Sequence, residues 1–354
     1  MYKSIYFFVF LVLVLSNTSC KDEKMKEVFL QGERVECDSD FWGTSSFLLY
    51  DKFLFTKSSL SETQGVISML DNRHLGGSQE IFRTGNGNNE FHNIAISEGL
   101  DSSLLVLDYS NLGNKMLSLT QIRNTKSIES IKDTKMWKKY SLLDLPSFRC
   151  VFKSFVSLSD TTILVPGSCY DNIGHLLSII DYENQIVTPL DYWPADGVEG
   201  DSLAKHSVYT DNCRIFRNNR KQYLYKCGEE RFAFVFSIEH NRIKVHKEIY
   251  SMYPNYICRN DGNYDITKRS GKFLYIDATN DYIYAFLQEL IQNNRSYSRS
   301  GNIIEVFDWD GNLVKRIKLD KKGDQIKVNK ENNILYLFTT NDESGEEEIW
   351  MYRM

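Results

Sequence analysis

The chain has 354 residues, 42% hydrophobic and 25% charged, with 42 Lys and Arg against 47 Asp and Glu and a net charge of −5. That is enough apolar mass for a large core, and the mild acidity speaks against nucleic acid as a partner. The 21 Tyr, 21 Phe and 5 Trp exclude a disordered chain, and only 5 Pro exclude a Pro-rich stalk.

In chain order, the first element is a short apolar run. Lys3 supplies a positive start, and Ile5 to Leu15 carries no charge. The run falls far short of the ~20 residues of a membrane-spanning helix, so residues 1–19 read as a secretory signal. Cys20 follows Ser16-Asn17-Thr18-Ser19, where a lipoprotein signal puts its acceptor cysteine, although Asn17 stands where Leu is usual. Lipidated, Cys20 would hold membrane lipid through acyl chains worth ~0.8 kcal/mol per buried methylene. Residues 20–34 are then a lipidated Cys and tether, and residues 35–354 the folded domain. Lys21-Asp22-Glu23 resembles the export signal of Bacteroidota surface lipoproteins, which implies a lipid-anchored, surface-exposed place at the outer membrane.

Beyond residue 35 the chain shows short runs of Val, Ile, Phe, Tyr and Leu between clusters of Asn, Asp, Gly and Ser, the signature of an all-β fold. One unit recurs: an apolar residue, a polar turn, and a new apolar run eight residues on. Its copies are Ile96 and Leu104, Phe155 and Ile163, Phe216 and Leu224, Tyr275 and Ile283, and Ile326 and Ile334, with a shorter copy in Leu48-Leu49-Tyr50 and Phe53-Leu54-Phe55. Starts near 48, 96, 155, 216, 275 and 326 predict a six-bladed β-propeller of four-stranded antiparallel blades, each hairpin being the inner pair of a blade. Outer strands are expected over 65–70, 175–180, 302–307 and 313–317. The strand 348–352 is expected to close the ring beside N-terminal strands and so remove an exposed edge.

Arg83-Thr84-Gly85-Asn86-Gly87-Asn88-Asn89-Glu90-Phe91, ahead of the second copy, resembles the G-x-G-P-G-E-F segment of the TolB-like six-bladed β-propeller lipoproteins of Bacteroidota. Gly85, Gly87, Glu90 and Phe91 match, and Asn88-Asn89 replace Pro-Gly. Phe307-Asp308-Trp309-Asp310-Gly311-Asn312 also looks like that family's last blades. The resemblance implies the fold and the compartment, and carries no common activity.

Chemistry-bearing motifs are scarce. Gly85 and Gly87 do not make a dinucleotide loop, since Glu90 stands where the third Gly belongs. Asp308, Asp310 and Asn312 open like a calcium loop, but Leu313 and Leu319 occupy the Gly and Glu positions, so a hairpin turn is expected. His74, His92, His175, His206, His240 and His246 show no zinc-helix spacing, and no G-x-S-x-G elbow appears. No metal site and no cofactor are predicted. Cys37, Cys150, Cys169, Cys213, Cys227 and Cys258 are an even set in an exported chain. Cys150 and Cys169 flank the Ser159-Asp160 turn symmetrically, and Cys213 and Cys227 flank that at Arg220, so each pair is a candidate cross-hairpin disulfide with Cα atoms ~4.5–5.5 Å apart; buried free thiols are the alternative. Lys132, Lys135, Lys138 and Lys139 around Trp137 read as a solvated strand face, and 342–348 as a solvated acidic loop.

Two long insertions, 192–209 and 288–301, are candidate binding loops, since function in a rigid scaffold sits on its loops. The sequence therefore reads as a lipid-anchored binding or interaction module for a peptide, glycan or partner protein, with no nucleic acid. The alternatives are a metal-dependent hydrolase or lactonase-like enzyme with its site in the propeller channel, and a structural subunit of an outer-membrane complex.

Overall fold

A computed structural model describes residues 26–38, 46–57, 63–71, 73–87, 89–110, 115–148, 154–167, 175–199, 202–228, 230–259, 264–267, 270–293, 296–330, 333–341 and 346–354. The signal at 1–19, Cys20, Lys21, Asp22, Glu23, Cys150 and Cys169 lie outside the described residues.

The continuous apolar runs are strands buried on both faces. Side chains alternate across a strand, and here each face meets a different sheet. Leu104 and Val106 pack with Phe53, Phe55 and Ile67, while Leu105 and Leu107 pack with Phe155, Ile163 and Val165. Leu164 faces Tyr223 and Tyr225, and Leu224 faces Leu274 and Ile283. Phe286 and Ile304 meet Leu335 and Leu337, and Tyr336 and Phe338 return to Leu54 and Leu70. The apolar clusters therefore follow one another around a closed circuit.

The sheets between these clusters run in chain order. The first is Ser46–Tyr50, Phe53–Lys57, Thr63–Asp71 and Gln79–Thr84; the second is Ile94–Glu98, Leu104–Ser110, Lys115–Ile122 and Trp137–Ser141. The third is Val156–Ser157, Thr162–Pro166, Leu177–Asp181 and Ile186–Pro189; the fourth is Arg214–Arg217, Tyr223–Lys226, Phe232–Glu239 and Arg242–Ser251. The fifth holds Lys272–Ala278, Tyr282–Asn293, Ser296–Asp308 and Leu313–Gly323; the sixth holds Gln325–Asn329, Ile334–Thr340, Glu347–Arg353 and Glu33–Arg34. The first strand of each sheet neighbours those of the two adjoining sheets, and the sixth returns to the first. The protein is an all-β propeller of four-stranded antiparallel blades.

Turn length sets the register within each hairpin. Phe216 lies opposite Leu224, but Ile96 lies opposite Val106, Tyr275 opposite Phe286 and Ile326 opposite Leu337. Eight-residue spacing thus marks the hairpin without fixing its pairing. The segment 308–312 is a hairpin turn. Asp308 Oδ1 accepts the N–H groups of Asp310 at 3.0 Å and Asn312 at 2.8 Å, Gly311 takes φ +80°, and Trp309 is fully buried with Nε1 donating to the Thr279 carbonyl at 3.0 Å.

Residues 26–34, assigned by sequence to the tether, are part of the ring. Lys26–Leu30 runs parallel to Leu313–Gly323 as a fifth strand, with Val28 opposite Ile317 and Leu30 opposite Leu319. Glu33–Arg34 is the outermost strand of the sixth sheet, opposite Met351 and Trp350. Glu36–Cys37 then pairs with His74–Leu75, which extends the first sheet. The physical reason is the edge: both Leu313–Gly323 and Glu347–Arg353 would otherwise present a row of unpaired backbone groups. Twelve residues so lace three consecutive sheets, with Gly32 donating to Asp320 Oδ1 at 3.0 Å and Val35 to the Ile349 carbonyl at 2.9 Å. Among the described residues no helix is long and apolar enough to cross a membrane.

Candidate functional site: the channel mouth

At the centre of the ring the first strands leave a cavity of about 360 Å³. Every sheet contributes: Leu48 and Leu49, Glu98, Ser154, Arg214 and Arg217, Asp277, and Lys327 with Lys330. The opening lies on the side of the hairpin turns, where Ser102, Asn219 and Asn280 line it. A smaller cavity of about 130 Å³ adjoins it beside Tyr50, Asp51 and Asn329.

Side chains on these strands tie neighbouring sheets together. Ser154 Oγ accepts the Ile215 N–H at 3.0 Å and donates to the Ile215 carbonyl at 3.2 Å. Asp277 Oδ2 accepts the Val328 N–H at 2.7 Å, and Asn329 Nδ2 donates to the Asp51 carbonyl at 3.1 Å. Others reach between sheets that do not adjoin: Lys330 Nζ meets Glu98 Oε2 at 2.8 Å, and Arg217 Nη2 donates to the Gly99 carbonyl at 3.2 Å. Burial lowers the Arg217 guanidinium pKa, and the nearby Glu98 opposes that.

The remaining charges are uneven. Arg214 lies over the Tyr275 ring at 5.2 Å and Lys327 over the same ring at 5.9 Å. Lys327 is only 4% exposed. Among the described residues neither has a carboxylate within ion-pair distance. Opposite Arg214 in the hairpin stands Lys226, 7% exposed, which among the described residues donates to the Gly228 carbonyl at 3.4 Å. Burial, with Arg214 and Arg299 nearby, brings its ammonium down to about 8. The cavity thus counts Arg214, Arg217, Lys327 and Lys330 against Glu98 and Asp277, inside a chain whose net charge is −5.

Sequence reasoning did not find these residues. The signal was there: Arg214, Arg217 and Lys327 interrupt apolar runs on first strands, where a charge is costly unless it faces a cavity or a partner.

The residues that were singled out lie elsewhere. Gly85, Gly87, Glu90 and Phe91 come together in the connection between the first and second sheets. Glu90 Oε2 accepts the Gly87 N–H at 2.8 Å, and Gly85 at φ +154° leaves no room for a Cβ against that carboxylate. Phe91 is fully buried, edge-on to Phe82 at 5.3 Å. A shallow depression of about 440 Å³ lies beside this connection and includes His92 and Asp108. Asp108 accepts the His92 N–H at 2.8 Å; burial raises its carboxyl pKa, the His92 contacts opposing.

Cys213 and Cys227 face each other one step beyond the Arg214–Lys226 pair, both buried. They are not joined by a disulfide, and burial pushes the Cys213 thiol up. The insertion at 192–209 is a packed element, not an open binding loop. Its helix Ser202–Thr210 covers the fourth sheet, Trp193 stacks on His206 at 6.2 Å, and Asp196 is enclosed by Lys205, Tyr209 and Tyr256. In the second insertion Arg299 lies over Phe273 at 3.8 Å. The lysines around Trp137 are on a solvated edge, with Lys138 over Tyr140 at 4.5 Å. Among the described residues no group of three His, Cys, Asp or Glu side chains could hold a metal ion.

No protein-family model matches the chain, and no curated protein matches it in sequence. Solved propellers resemble it in shape at low identity. The β-propeller domain of Cps50 (Swd1) from Myceliophteria thermophila is 12% identical, with a TM-score of 0.45 over 90% of this chain and 99% of that one. TolB from Acinetobacter baumannii is 10% identical, with a TM-score of 0.41 over 89% of this chain and 64% of that one. YCF48 bound to D1 peptide is 8% identical, with a TM-score of 0.42 over 91% and 98%.

Proposed function

We propose that this is a lipid-anchored six-bladed β-propeller of the outer membrane, of the TolB-like Bacteroidota lipoprotein kind, exposed at the cell surface and acting as a binding module. The observation that carries the binding reading is the central cavity, to which every sheet sends a side chain from its first strand. A peptide, glycan or protein segment would enter there from the side of the hairpin turns. The blade count rests on the circuit of apolar clusters, and the family reading on the folded Gly85-Gly87-Glu90-Phe91 connection. The anchor rests on Cys20 alone. Only residues 21–25 separate it from the strand Lys26–Leu30, so at ~3.5 Å per residue the lipid would lie within about 20 Å of the fifth sheet's outer edge.

The test is fractionation. The native chain should partition with membranes, incorporate labelled fatty acid and be cut by protease added to intact cells. The Cys20→Ala chain should lose the label and appear in the soluble fraction. A native chain that is soluble and unlabelled sinks the anchor reading.

A further inference from the structure

The geometry points to the channel mouth as a binding site for a sugar-sized oxyanion, a sugar acid or sugar phosphate, whose carboxylate or phosphate oxygens are held by Arg214 and Lys327 with Arg217 and Lys330 at the rim. This rests on the reading of the channel as the ligand site and adds the chemistry of the ligand.

Positive charge in the cavity outnumbers what its carboxylates answer. Glu98 is engaged by Lys330, and Asp277 by the Val328 N–H. Neither is within ion-pair distance of Arg214 or Lys327. Lys327 is 4% exposed as a residue, and an ammonium held away from water costs free energy unless an anion faces it. The face of one Tyr275 ring, shared by two cations, gives weak compensation at 5.2 and 5.9 Å. Lys226, the partner of Arg214 across the hairpin, is a further buried positive group, its ammonium pKa depressed chiefly by burial and further by Arg214 and Arg299. A guanidinium and an ammonium converging on one cavity suit carboxylate or phosphate oxygens.

The rest of the lining selects the body of the ligand. Ser97, Ser102, Asn219 and Asn280 offer hydroxyls and amides to a hydroxylated molecule. A volume of about 360 Å³ stands at the small end of ligand sites, which run from ~300 to ~1,000 Å³. It takes one or two sugar rings.

The test is calorimetric titration of the full chain in detergent with three probes: D-glucuronate, D-glucose 6-phosphate and D-glucose. At least one anionic probe should bind at least tenfold more tightly than glucose, with an affinity that falls as salt is raised. Arg214→Gln with Lys327→Met, which keeps much of the buried volume, should weaken that probe tenfold or more and leave the fold intact by circular dichroism. Lys132→Gln, on the outer rim, should change nothing. The two single variants, read separately, keep the test valid if the double variant fails to fold. Glucose binding as tightly as the anions, full binding by folded channel variants, or no probe bound at about 10 mM each overturns the inference. If glucose alone binds, and the channel variants affect it, the anionic chemistry fails while the channel stands as a ligand site. Loss of the anchor reading is read independently, by fractionation.

Discussion

Two buried charges show how this chain treats ionisable side chains. Asp196 has no exposed side-chain surface, and its carboxylate accepts from Lys205 Nζ at 2.6 Å, Tyr256 Oη at 2.7 Å, Tyr209 Oη at 2.9 Å and the Val198 N–H at 3.1 Å. Burial works to raise its pKa, and these donors more than offset it, holding the carboxyl below 3.8. Asp196→Ala leaves Lys205 and two hydroxyls without their acceptor and should cost about 3–5 kcal/mol in denaturant unfolding. Because the folded pKa is depressed, the stabilisation is present above the unfolded value and fades as pH falls below about 4. The gap between native and Asp196→Ala chains should narrow there. Lys226 is the opposite case. Unfolded, its ammonium holds a proton to about 10.5; folded, only to about 8. Between those values the unfolded chain binds more protons, so raising the pH favours the fold. Melting curves of native and Lys226→Met chains should show the native chain gaining on the variant from pH 8 to 10.5, by on the order of 3 kcal/mol at full extent. Parallel curves would exclude the depressed ammonium.

At the level of elements, the N-terminal lace is the most testable. Gly32 sits where the chain passes from the fifth sheet to the sixth, and a Cβ there would stand 2.6 Å from the ring of Tyr352, which is fully buried among Leu30, Ile317 and Leu319. Gly32→Val should cost about 1–3 kcal/mol and speed amide exchange across 26–34 and 347–353 together. Exchange that rises in only one of those segments would show that the lace is not a single unit. The hairpins were legible in sequence because each is a local event: an apolar run, a turn, another run. The lace was not, because Lys26-Glu27-Val28-Phe29-Leu30 has a weak alternation, and its partners lie nearly three hundred residues away. The insertion at 192–209 misled for the reverse reason. Trp193-Pro194 and its turn residues suggested a surface loop, yet Trp193 and Tyr209 are packed against the fourth sheet.

For the whole molecule, the closed circuit of apolar clusters explains why so many strands are hydrophobic on both faces. Each blade is sandwiched between two others, so Leu104 through Leu107 are all buried, where a one-sided sheet would alternate. That pattern, with its repeat of 48 to 61 residues, made the architecture readable from one chain. The site was not readable in the same way. Its residues come from strands spread from Leu48 to Lys330 and meet only because the ring brings first strands to its axis. No local motif encodes Arg214 beside Lys327; the circular arrangement does.

The lace also has a meaning in time. Glu33–Arg34 is made early, and its partner Glu347–Arg353 more than three hundred residues later. Until then Glu33–Arg34 lacks that partner, and the sixth sheet is only the hairpin of Gln325–Asn329 and Ile334–Thr340. The ring therefore cannot close until Glu347–Arg353 has been made, and Glu33–Arg34 must wait for it. Pairing over so long a loop is slow, and during the wait the sheet edges stay open to other chains. A protein built this way depends, until its last strand arrives, on whatever keeps a half-made ring from finding the wrong neighbour.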